Sequence, residues 1–137
     1  MAGEFTLTEK HSFPFLYYSK MNLDNKHTLE KANAMVTNGD NEGFLEFCTE
    51  DVVWEFVGDQ TLRGKQAVRE YMKSTYLEPP KFDVERILAD GDYVTAIGKI
   101  SLNDATGKLI HYEYCDIWRF RDGKMVELKA FVVAINQ

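Results

Sequence analysis

The stretch KLIHYEYCDIWRFRDGKMVELKAFVVAI, residues 108–135, decides the fold. It contains two strand-length runs rich in β-branched and aromatic residues, joined at Arg121-Asp122-Gly123. So short a connection with an Asp-Gly step predicts an antiparallel hairpin. Side chains alternate across a strand, so residues two apart share a face. One face of 108–120 carries Ile110, Tyr112, Tyr114, Asp116, Trp118 and Phe120; the other carries Leu109, His111, Glu113, Cys115, Ile117 and Arg119. The first is almost wholly aromatic or aliphatic and is expected to face the core. Asp116 is its exception, and a carboxylate in that company requires partners or a raised pKa.

Working outward, KFDVERILAD (81–90) and DYVTAIGKISLND (92–104) read as two further strands, turning at Gly91 and at Ala105-Thr106-Gly107. The expected inner residues are Val94, Ala96, Gly98, Ile100 and Leu102 on one strand. On the last strand they are Val126, Leu128, Ala130, Val132 and Ala134, with Met125, Glu127, Lys129, Phe131 and Val133 outside. Ala96, Gly98, Ala130 and Ala134 opposite large rings leave room for a cavity; the alternative is a dry core in which small and large residues complement one another.

The first half is helical. From Asp24, Leu29, Ala32, Met35 and Val36 give one apolar face, which Asn38-Gly39-Asp40 stops. Asp40 is placed to cap a short second helix carrying Phe44, Leu45, Phe47 and Cys48. DVVWEFVG (51–58) reads as a strand, and Gly64 precedes a third helix with Ala67, Val68, Tyr71, Met72 and Tyr76 on one face. Helices first and a meander after predict an α+β fold, with helices packed on the concave face of a curved antiparallel sheet. Residues 1–21 lack this period and read as an N-terminal extension or cloning remnant, ahead of a single domain over 22–137. The cluster Phe13, Phe15, Tyr17 and Tyr18 within it is expected to dock on the domain or on a neighbouring chain.

Composition narrows the function. With 137 residues, 45% of them hydrophobic and 28% charged, the chain suits one soluble domain. Its net charge of −6, with Lys and Arg scattered among acids, argues against nucleic acid or an anionic membrane as partner. The apolar runs fall short of a membrane span or a signal-peptide core, so a cytoplasmic location is expected. Cys48 and Cys115 have no zinc or redox spacing and read as buried thiols.

Two segments carry a family resemblance: FLEFCTEDVVWEFVGDQTLRGKQAVREYM after the Asn-Gly-Asp turn, and YEYCDIWRFRDGKMVELKAFV near the end. Over about residues 25–135 the chain resembles the SnoaL-like branch of the nuclear transport factor 2-like superfamily, which includes ketosteroid isomerase and polyketide cyclases. The resemblance implies a cone with a ligand cavity and frequent homodimers, while the fold alone does not fix the chemistry. Against ketosteroid isomerase, Asp116 falls on the protonated acid that hydrogen-bonds the developing oxyanion. The general base falls on Phe56, the oxyanion tyrosine on Ala32, and two further pocket tyrosines on Cys48 and Met72. Proton abstraction beside a carbonyl needs a base, which Phe56 does not supply.

Asp116 is therefore the candidate catalytic residue, and Trp54, Phe56, Tyr71, Tyr112, Tyr114, Trp118, Leu128 and Val132 are the candidate ligand contacts. No cofactor is called for, and no Ser-His-Asp order, Cys-His pair or phosphate-binding glycine loop is present. His111 and Glu113 sit two apart on the outer face, but two ligands do not make a metal site. Two classes stay open. One is a binding or assembly module for a small hydrophobic molecule; the other is a cofactor-independent isomerase, cyclase or dehydratase using Asp116 as acid/base. A homodimer through the outer sheet face is expected, centred on Ile97, Cys115, Ile117, Phe131 and Val133.

Overall fold

The computed structural model describes the backbone of residues 2–135 and the side chains of residues 20–135. In chain order the elements are α1 (Ala2–Thr37), α2 (Asn41–Leu45), β1 (Cys48–Phe56), β2 (Gln60–Arg63), α3 (Lys65–Thr75), β3 (Lys81–Asp90), β4 (Tyr93–Asn103), β5 (Leu109–Arg121) and β6 (Lys124–Ala134). Helix α1 begins well before Asp24, where the apolar period starts, so the segment before Met21 continues the helix. The side chains of the Phe13–Tyr18 aromatic cluster lie outside the described residues.

The local signals act as expected at the helix ends. Gly39 adopts φ 81°, which a side chain disfavours, and so ends α1 cheaply. The Asp40 carboxylate accepts a hydrogen bond from the Gly43 N–H at 2.8 Å, satisfying a free donor of α2.

The six strands form one curved sheet in the order β2-β1-β6-β5-β4-β3. Neighbours are antiparallel with one exception: β1 runs parallel to β6. The expectation of an all-antiparallel sheet is corrected here. Hairpins fix direction only between strands adjacent in sequence, and β1 meets β6 across the whole meander, where no turn dictates the sense. The short edge strand β2 is likewise an addition to the sequence reading.

Helix α1 packs over β3 and β4, and α3 over β1 and β2, while α2 joins the two helices. The concave face of the central strands β5 and β6 is thus roofed from both sides and left hollow between. Leu29, Leu45, Val52, Val68, Met72, Val94 and Met125 are fully enclosed in the core beneath the helices. Met125 had been expected outside. The pairing jumps from Arg119–Glu127 to Phe120–Met125, so Val126 is an extra residue in β6 and the alternation slips at that point. Both Met125 and Val126 are consequently buried.

Candidate ligand-binding site

The hollow is a cavity of about 520 Å³, within the size range of small-molecule sites. Its floor is the inner face of β4, β5, β6 and β1, and the sheet register fixes what lies beside what. One row runs Ala96, Asp116, Ala130, Phe56 across four strands. The next runs Val94, Trp118, Leu128, Trp54. Asp116 is therefore flanked by methyl groups on both sides, with Tyr114 and Trp118 two residues away along its own strand. Small neighbours leave the space above the carboxyl open; larger ones would fill it.

The walls are rings in edge contact. Trp54 meets Phe44, Phe56, Tyr71 and Trp118 at centroid distances of 5.7–6.2 Å and steep angles. Tyr71 lies 5.1 Å from Phe56 and 6.1 Å from Tyr76. Edge-to-face packing matches the positive edge of one ring to the negative face of the next and holds the wall in one arrangement. The cavity opens to solvent where its lining residues Val57, Leu77 and Val132 are exposed; Asp59 and Asp104 also line it.

All nine residues singled out in the sequence line this cavity: Asp116 with Trp54, Phe56, Tyr71, Tyr112, Tyr114, Trp118, Leu128 and Val132. Asn33, Phe44, Met72, Tyr76, Phe82 and Asn103 line it too and were not among them. Tyr76 carried a readable signal, being four residues after the lining Met72 on the same helix face. Ala32 and Cys48, at the positions of two ketosteroid isomerase tyrosines, are fully buried and do not reach the cavity, whereas Met72 does.

Asp116 accepts no hydrogen bond from any described residue, so of the two outcomes its surroundings allow, partners or a raised pKa, it shows the second. Burial alone raises its pKa from 3.8 to about 7. Burial chiefly, and then the Asp116 charge, pushes the Tyr114 hydroxyl up to about 12; burial, followed by Tyr71 and Asp116, raises that of Tyr76. The Tyr114 hydroxyl and the Trp54 indole N–H are themselves enclosed without a partner among the described residues. Such groups gain stability when a ligand or water hydrogen-bonds them.

Other candidates resolve differently. His111 Nδ1 lies 2.8 Å from Ser101 Oγ on the outer face, and among the described residues no cluster of three or more His, Cys, Asp or Glu could hold a metal. Burial pushes the Cys48 thiol up to about 12, leaving it unreactive. No described helix is long and apolar enough to cross a membrane.

The family model described as "SnoaL-like domain" matches residues 29–128. Solved structures share the fold at low identity. An LEH-like epoxide hydrolase from M. tuberculosis superposes with a TM-score of 0.73 at 18% identity, covering 81% of this chain and 84% of its own. An NTF2-like protein of unknown function from Cytophaga hutchinsonii gives 0.65 at 20%, covering 79% and 98%. TerC, co-crystallized with polyporic acid, gives 0.68 at 19%, covering 79% and 90%. No functionally curated protein matches the chain at a significant level.

Proposed function

This chain belongs to the SnoaL-like domain family, and from that premise we propose that it binds a small hydrophobic molecule in its cone, with Asp116 as the polar contact. The observation that carries the proposal is the cavity itself. About 520 Å³ walled by rings stands open over an unpartnered carboxyl, where a purely structural core would be filled. Supporting it, TerC, a protein of similar fold, has been co-crystallized with polyporic acid. Binding without catalysis is the favoured form, because acid/base chemistry in such a cone ordinarily pairs two groups. The position across Ala130 from Asp116 is Phe56, which transfers no proton.

The second reading is a cofactor-independent isomerase, cyclase or dehydratase acting on a carbonyl or hydroxyl compound. One observation favours it: a carboxyl with a pKa of about 7 is suited to exchange protons at neutral pH. Displacement of a bound neutral dye by a panel of hydrophobic compounds, each bearing one polar group, tests the binding reading. Asp116→Asn is expected to weaken the best ligand by about 1–3 kcal/mol. Unchanged affinity removes Asp116 from the site, and turnover of the ligand abolished by the same substitution moves the assignment to the enzyme reading.

A further inference from the structure

The chemistry of the wall narrows the ligand further. Three carboxylates line the cavity: Asp116 at its floor, together with Asp59 and Asp104. Among the described lining residues there is no Lys, Arg or His. The charges contributed by the described lining are therefore all negative, and an anionic ligand would be brought toward like charge in a low-dielectric space. Around them stand Trp54, Trp118, Tyr71 and Tyr76, whose ring faces carry the negative lobe of the quadrupole. A carboxylate without a cation, in an aromatic-lined cavity without a cation, is complementary to one kind of group.

We infer that the preferred ligand is a hydrophobic amine, bound as its ammonium ion with Asp116 as counter-ion and the aromatic walls as cation–π partners. This rests on the ligand-binding reading of the cavity and specifies its substrate class. The ammonium supplies the hydrogen-bond donors that Asp116 lacks in the protein and offsets the cost of its buried charge. A neutral alcohol or carbonyl compound makes one hydrogen bond there and draws nothing from the carboxylate's charge.

The two ligand types respond oppositely to pH. Tyr76 and Tyr114, which share the field of Asp116, stay neutral through this range because burial raises their pKa. Asp104 stays ionised, held low by hydrogen bonds from Thr106 and Lys108. Asp116 is then the group that changes charge, and an ammonium must displace its proton. Amine affinity accordingly rises with pH, by up to about tenfold per unit below the carboxyl midpoint, and levels off above it. A ligand that accepts a hydrogen bond from the protonated acid shows the reverse.

The test is calorimetry of the full chain with tryptamine, tryptophol and indole-3-acetate, one ring system bearing an ammonium, a hydroxyl and a carboxylate. Displacement of neutral Nile red reports independently on whether the cavity admits ligands. The expected order is tryptamine, then tryptophol, then indole-3-acetate, with proton release on tryptamine binding near pH 6.5. Asp116→Asn is expected to cut tryptamine affinity by about 10- to 100-fold and to abolish its rise with pH. Equal affinity for tryptamine and tryptophol, or amine affinity that falls as pH rises, overturns the inference while leaving a ligand cavity in place. Absence of Nile red and of all three indoles overturns the cavity reading and this inference with it. The wild-type pH series decides the matter even if the variant fails to fold.

Discussion

Strand alternation alone places Asp116 on the inner face, because the five other residues on that face are apolar or aromatic. What alternation could not supply is its lack of partners. That depends on Ala96 and Ala130, which arrive from two other strands and contribute only methyl groups. A carboxyl whose folded pKa is about 7 against an ordinary 3.8 prefers its neutral form in the native state. Between those values the folded chain holds a proton that the unfolded chain has lost, so this group's contribution to stability falls as pH rises from about 4 to 7 and is flat above. At about 1.4 kcal/mol per unit, Asp116→Asn is expected to stabilise the protein by about 1–4 kcal/mol at pH 8. The gain should vanish near pH 4, where both side chains are neutral. Paired thermal melts across that range check it, and a variant less stable than wild type at pH 8 would show that the carboxylate is satisfied. Stability gained by removing a group is the expected signature of a residue retained for binding.

Helix ends and hairpins were legible because their causes are local: Gly39, Asp40 and the Asp122-Gly123 turn each act within a few residues. Bulges were not, because an extra residue shows only against its partner strand. Val126 shifts β6 by one and buries Met125, which a strict alternation puts outside. A second irregularity lies between Val84 and Arg86 in β3, where the strand closes over Gly98 of β4. A Cβ at Gly98 would overlap the Asp83 carbonyl oxygen and crowd the Val84 Cα. Those are backbone atoms held by the ladder, so they cannot swing aside as a side chain would. Gly98→Ala is therefore expected to cost about 1–3 kcal/mol, read as a lowered urea midpoint. A neutral substitution would show that the bulge is free to relax. The parallel contact of β1 with β6 was hidden for the same non-local reason, since no turn joins them.

Across the whole molecule, the cone was foreshadowed by where small and large residues fall, while its size depends on how α1 and α3 straddle β5 and β6. The convex side of the sheet carries a contiguous apolar row, Ile97, Cys115 and Phe131, with Ile117 and Val133 beside it. Phe131 is 40% exposed and Val133 63%, and Lys99, Glu113 and Lys129 rim the patch. We propose that two chains join through this face. Sedimentation at micromolar concentration is expected to give a dimer that Phe131→Glu converts to monomer, and a wild-type monomer would refute it. The same patch is the rival site for any hydrophobic probe, which makes the location of binding the central question. Ala130 lies beside Asp116 on the cavity floor, so Ala130→Phe fills the space without touching the convex face. The deciding measurement is a Nile red titration of wild type and Ala130→Phe, with circular dichroism confirming that both are folded. The account predicts one saturable site per chain in the wild type and none in the variant; equal binding to both would place the ligand outside the cone and contradict it.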